Sequence, residues 1–309
     1  MFNLLFSTVF ILLIYMAIGF ILVKAGKASL NHVKSITGVL IYVLGPAMIL
    51  NSFMKLEFSW EAFAKIGIYF FLSLIAQILF FLLIFAFLGR KYSDSKYRIL
   101  TVGSVLGNVG FLGMHVISSI FPTEPIVLCY SSINVMTMNL IVFTIGTYLI
   151  TNDKKYISLK SAILNPTTIA LLISIPLFMA NLKYPSLVTQ PVELLSKMST
   201  PVCMIILGMR LANSSLKDLF SRGFVYATCL LKLIIFPVLV FFFVKLIPID
   251  DIVLKTSLVV LAMTPSGAII ESLAELHDCQ QEFAANVVLL TTILCVITIP
   301  LMSMLLVRV

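Results

Sequence analysis

Two stretches decide the fold: Thr101–Val116, TVGSVLGNVGFLGMHV, and Val259–Ser272, VVLAMTPSGAIIES. Both lie inside long apolar runs, and both carry residues that an uninterrupted helix tolerates poorly. The first places Gly103, Gly107, Gly110 and Gly113 around Asn108, and the second flanks Ser266 with Pro265 and Gly267. Glycine admits backbone angles closed to other residues, and proline removes a donor and clashes one turn back, so both stretches are predicted to unwind. Asn108 falls about ten residues into its run, or ~15 Å at helical rise, which is the middle of a bilayer if the run crosses one. Unwound backbone at that depth is tolerated only where it lines a cavity or is buried in protein. Close helix packing through small residues is the alternative reading of the glycines.

The composition says that the runs do cross a bilayer. Of 309 residues, 61% are hydrophobic and 11% charged, whereas a soluble domain has roughly 25% charged residues. A mean hydropathy of +1.13 over the whole chain leaves too little polar surface to coat a soluble protein, which excludes a soluble enzyme. The five cysteines, at 129, 203, 229, 279 and 295, follow no metal-ligand or redox spacing and read as small core residues. The net charge of +8 comes without a basic stripe or zinc-finger spacing, so nucleic acid is not an expected partner.

Ten runs are long enough to span. They are Leu4 to Val23, Ile36 to Met54, Ala62 to Leu88, Ile99 to Ile120, Pro125 to Ile150, Ile163 to Asn181, Val192 to Leu211, Phe224 to Ile247, Val253 to Ala274 and Phe283 to Val307. The gaps after spans 1, 3, 5 and 7 carry Lys24, Lys27, Lys34, Arg90, Lys91, Lys96, Arg98, Lys154, Lys155, Lys160, Arg210, Lys217 and Arg222. Those after spans 2, 4, 6 and 8 carry only Lys55, Lys65, Lys183, Lys197, Lys245 and Lys255. The positive-inside rule then puts the odd gaps in the cytoplasm and both termini outside a cell membrane crossed many times. The ninth gap, with Glu275, His277, Asp278 and Glu282, dissents mildly.

A shift of 157 positions brings Arg98 onto Lys255, Gly110 onto Gly267 and Phe63 onto Phe220, with Pro46 meeting Pro201 at 155. Residues 1–150 and 151–309 therefore read as two copies of five spans. An odd count makes the second copy enter from the opposite side, an inverted repeat of the kind from which many secondary transporters are built. Breaks at matched places in such repeats point to a binding site, and at this shift Asn108 falls on Pro265. If helices 4 and 9 break and cross, two half-helix N-termini converge near the midplane and favour an anion, with a small carboxylate as the natural first candidate.

The expected binding set is Asn108 with Gly107, Val109, Gly110, Pro265, Ser266 and Gly267, joined by Ser131 and Asn134 from span 5, where interhelical glue is the equal alternative. Gln77, His115, Lys232 and Glu271 also lie within spans and need partners. Glu271 reads either as a proton or cation site or as a solvated residue near a helix end. His115 reads first as a hydrogen-bonded structural residue and otherwise, with Gln77, as a coupling or supporting group, since an accessible imidazole titrates near physiological pH. Snorkelling to an interface suits Lys232, with pairing to Glu271 a further option.

The chain resembles the auxin efflux carrier family, relatives of the plant PIN-type carriers, over essentially its whole length. The resemblance rests on LGNVGFLG at Leu106–Gly113, the Pro-Ser-Gly break at Pro265–Gly267, and FAANVVLLTTILCVITIPL at Phe283–Leu301. The family pattern usually carries an Asn after the second break, whereas Gly267, Ala268 and Ile269 follow Ser266 here. The resemblance implies an all-α polytopic membrane protein of ten transmembrane helices with helices 4 and 9 crossed, a fold akin to sodium/proton antiporters and bile-acid symporters. It further implies a dimerising scaffold of helices 1, 2, 6 and 7 and a transport unit of helices 3–5 and 8–10 that moves as an elevator. By the same token the substrate is an auxin-like monocarboxylate or a malate- or malonate-like dicarboxylate. A symporter or exchanger coupled to H⁺ or Na⁺ is the alternative; no other cofactor, and no metal, is expected. No HExxH, GxSxG or Walker pattern supports catalysis.

Overall fold

The computed structural model describes residues 1–214, 219–220 and 223–308. Lys217 and Arg222, counted above for topology, lie outside the described residues. Among the described residues eight helices are long and apolar enough to cross a membrane: α1 (Phe2–Lys24), α2 (Asn31–Met54), α3 (Trp60–Lys91), α5 (Ile126–Thr151), α6 (Lys154–Met179, regular over Pro166–Met179), α7 (Ser186–Asn213), α8 (Gly223–Leu246) and α10 (Gln281–Leu306). Between them lie two interrupted stretches. One is α4a (Ser95–Val105) and α4b (Val109–Ile120); the other is α9a (Ile252–Ala262) and α9b (Ile269–Leu276).

The boundaries follow local chemistry. Ser59, Asp94, Asn165 and Asp251 each sit in extended backbone and accept a hydrogen bond from the first turn of the helix that follows, filling donors that a helix N-terminus leaves open. Widened turns at Leu40–Leu44 and Leu231–Ile235 run directly into Gly45-Pro46 and Phe236-Pro237, so the proline ring is accommodated without ending either helix. The polypeptide is apolar outward as well as inward: Phe71, Leu79, Leu82, Phe85 and Phe87 of α3 and Phe242 and Leu246 of α8 are exposed. Such a surface is stable only where the surrounding solvent is hydrocarbon.

Inside, α1 lies along α7 in the most extensive contact of the molecule. Glycine makes that approach feasible. A Cβ on Gly19 would run into the Ile205 carbonyl, and one on Gly208 into the Met16 carbonyl, so the two backbones touch where hydrogen replaces a side chain. Helix α2 packs on both α6 and α7 beside this pair, while α5 packs against α3 and α9a, and α10 against α8, α9b and α4a. The two interruptions are held between these groups.

Candidate functional site

Helix α4a stops at Val105 and α4b starts at Val109; α9a stops at Ala262 and α9b starts at Ile269. The open segments meet each other as a short antiparallel bridge between Gly107 and Ser266. Asn108 N donates to Pro265 O at 2.7 Å, and Gly267 N donates to Leu106 O at 3.1 Å. Two helices that each lose backbone hydrogen bonds thus restore part of them mutually, which is how irregular backbone survives at membrane depth. Contact this close requires glycine. A Cβ on Gly107 would strike Thr264 Oγ1 and come within 3.0 Å of Lys232 Nζ, and one on Gly267 would lie 3.1 Å from Gly107 O.

The C-terminal ends of α4a and α9a present carbonyls, and a lysine side chain answers them. Lys232, wholly buried on α8, donates from Nζ to Val105 O at 3.2 Å and to Ala262 O at 3.4 Å, with the Phe236 ring 4.7 Å away. The expectation that Lys232 snorkels to an interface, or pairs with Glu271, is corrected: the electronegative helix ends hold it in the interior. Beside it a void of about 20 Å³ is lined by Gln77, Asn134 and Gly107 among others. Gln77 Nε2 donates to Asn134 Oδ1 at 3.2 Å and Thr137 Oγ1 at 2.9 Å, and Asn134 Nδ2 donates to Tyr69 OH at 3.3 Å. Ser131 Oγ donates to Val109 O at 2.6 Å, so both span-5 residues are brought to the break, as is Gln77.

The N-terminal ends face a different space. A cavity of about 140 Å³ is lined on one side by Asn108, Val109, Gly110, Gly267, Ala268 and Ile269, and on the other by Leu40, Met48, Cys203, Ile206, Leu207 and Arg210 of α2 and α7. The N–H groups of Val109, Gly110 and Phe111 precede the first hydrogen bond of α4b, from Leu112 N to Asn108 O, and those of Ala268 and Ile269 precede the bonds from Ile270 N and Ser272 N. Asn108 Nδ2 lies 4.0 Å from Cys203 Sγ. Asn139, Asn165 and Thr167 add polar groups at the far side, while most of the wall is apolar.

The remaining expectations divide. Ser266 lies at the bridge but turns away from the cavity: its Oγ donates to Gly103 O at 2.7 Å, and its N–H donates to Thr291 Oγ1 at 3.1 Å. His115 is not brought to the bridge; it lines a second, larger cavity of about 610 Å³ with Asn51, Lys55, Glu124 and Thr200. Glu271 is neither solvated nor paired with Lys232. It is 4% exposed and ion-paired to Arg210 Nη1, which also meets Glu275 Oε1 at 2.9 Å. Arg210 was legible only as a topology charge. The signal that marks it is a basic residue in the last turn of a helix whose neighbours, Met209 and Ala212, are buried.

Residues 4–303 match the family of membrane transport proteins. A transporter of Methanocaldococcus jannaschii described as uncharacterized is 28% identical over 310 aligned positions, which span 96% of each chain. The match takes in all ten helical stretches but for the outermost residues of the first and the last. The chain belongs to the membrane transport protein family, that of the auxin efflux carriers.

Proposed function

We propose that this transporter is a secondary carrier of an organic monocarboxylate with an apolar body, bound at the paired interruptions. The observation that carries the reading is the 140 Å³ cavity into which both half-helix N-termini open. N–H groups ahead of a helix's first hydrogen bond carry partial positive charge and suit a carboxylate. The apolar walls of Leu40, Met48, Ile206 and Leu207 suit a hydrocarbon or aromatic body better than a second charged end. Asn108 supplies a directional donor and acceptor at the bridge.

In this reading the two interrupted stretches are helices 4 and 9 of ten, in two five-helix copies of inverted sense, with both termini outside. Helices α1, α2, α6 and α7 form a dimerising scaffold, and α3–α5 with α8–α10 the unit that slides along it as an elevator. Two features support the division. The glycine-mediated α1–α7 contact is too close to slide, whereas the seam between α7 and the interruptions holds a cavity on each side of the Thr200 Oγ1 to Phe111 O hydrogen bond. A thin barrier between two cavities is what alternating access needs.

The test is uptake of labelled indole-3-acetate, benzoate and malonate into proteoliposomes with and without imposed H⁺ and Na⁺ gradients. Saturable uptake of the two aromatic monocarboxylates, lost in a folded Asn108→Ala protein, is the expected result. Transport of malonate alone would reverse the assignment of substrate body, and no saturable carboxylate flux under any gradient would overturn the anion reading.

A further inference from the structure

Arg210 follows Cys203 by seven residues, two turns along one face of α7, and Cys203 touches Asn108. Asn108 and Arg210 therefore stand at two levels of one cavity, ~10 Å apart along the helix axis by rise alone. A guanidinium lining a mostly apolar cavity is a carboxylate receptor, yet here it is already engaged. Glu271 holds it from α9b, and Glu275 holds it one turn on, with its side chain half exposed. The second oxygen of Glu271, Oε2, is buried without a hydrogen-bond partner. A buried carboxylate satisfied at one oxygen only is held by its cation alone.

We propose that Glu271 is a built-in stand-in for the substrate: its carboxylate occupies Arg210 in the empty carrier and yields Arg210 to an incoming carboxylate, taking one proton from water as it does so. This rests on the reading of the cavity as an anion site and assigns that site its charge receptor and its coupling ion. The balance closes. One anion enters, Glu271 goes from carboxylate to neutral acid by binding one proton, and the cavity keeps its net charge. On release the proton leaves Glu271, which takes Arg210 back. Because Arg210 is on α7 and Glu271 on α9b, the exchange also removes one of the two ion pairs that fasten these elements, Glu275 holding the other.

The charged groups facing Glu271 are Arg210 and Glu275. On the other elements packed against α9b, the titratable groups are Lys96, Tyr97 and Arg98 of α4a, Tyr148 of α5, and Glu282 and Cys295 of α10. Arg98 donates from Nη1 to Tyr92 O.

The experiment measures binding of benzoate and indole-3-acetate to the purified full chain between pH 5.5 and 8, by ligand-dependent melting temperature. In wild type the dissociation constant should rise about tenfold per pH unit, the slope of one linked proton. Glu271→Gln should bind at least tenfold more tightly at pH 8 and lose the slope; Arg210→Gln should lose binding throughout; Glu275→Gln should keep the wild-type slope. If Glu271→Gln does not fold, the wild-type slope and Arg210→Lys, expected to bind weakly with the slope retained, decide the matter. A flat wild-type profile, or a Glu271→Gln protein with wild-type affinity and slope, overturns the exchange while leaving the anion site intact if Asn108→Ala still abolishes binding. Absence of any carboxylate shift in wild type overturns the anion reading itself, and the exchange with it.

Discussion

The two interruptions touch, yet their central polar side chains are placed differently. At the second, Ser266 is wholly buried and spent: its hydroxyl is tied to Gly103 O and its amide to Thr291. At the first, the Asn108 backbone is tied to Pro265 while its side chain makes only a long contact to Cys203 and lines the cavity. In the proposed reading the Ser266 side chain anchors and the Asn108 side chain presents, while N–H groups of both breaks face the cavity. A symmetric-looking pair of helix breaks can thus divide structure and recognition between its members, and residue type shows the division, because Ser266 is short enough to bond back onto the neighbouring helix and Asn108 is not followed by a partner of that kind.

The comparison breaks most violently at Gly107, which both segments share. Gly107→Val would drive methyl groups into Thr264 and Lys232; overpacking of this kind costs about 1–3 kcal/mol or more. A steep fall in folded yield and melting temperature in detergent is expected, and a well-folded, normally melting valine variant would show that the bridge is not a close contact. Next comes the lysine beneath both breaks. Lys232→Met leaves the Val105 and Ala262 carbonyls without their donor, a loss of about 1–3 kcal/mol for a buried group left unsatisfied. Thermal unfolding checks it, and an unchanged midpoint would mean that other donors reach those carbonyls.

Smaller effects sharpen the contrast. Asp251 caps α9a through Leu254 N and pairs with Lys65 at 2.9 Å, fastening the outer end of the anchoring stretch to α3. Burial raises the Asp251 carboxyl, but the Leu254 amide and the Lys65 ammonium outweigh it and hold it below the ordinary carboxylate range. A depressed folded value means stability that is present above the unfolded value of about 4 and lost as pH falls through the folded one. Asp251→Ala should therefore cost about 1 kcal/mol at neutral pH and progressively less in acid, with carboxylate affinity unchanged, by melting curves across pH.

How much of this was legible depends on range. Both breaks were, because Gly107, Gly110, Pro265 and Gly267 act on their own backbone and need no knowledge of neighbours. The need of Gln77, Lys232 and Glu271 for partners was legible too, from the cost of polar groups among apolar runs. Their partners were not. Lys232 answers two helix ends contributed by different parts of the chain, and Glu271 meets an arginine distant in sequence; neither leaves a periodic trace. Sequence places Ser266 in the binding set because small polar residues beside a break are alike in type, whereas its direction is set by Gly103 across the bridge. His115 lies on α4b, which Asn108 precedes, but faces another cavity, a matter of rotation along the helix.

The most direct test compares the two breaks in one assay: melting temperature with and without saturating benzoate or indole-3-acetate for wild type, Asn108→Ala and Ser266→Ala. The account predicts that Ser266→Ala melts lower by the equivalent of about 1 kcal/mol, the worth of a buried hydrogen bond, and keeps its ligand shift. Asn108→Ala should melt as wild type and lose the shift. The reverse pattern, with the shift lost in Ser266→Ala and kept in Asn108→Ala, would contradict the division of labour between the two breaks.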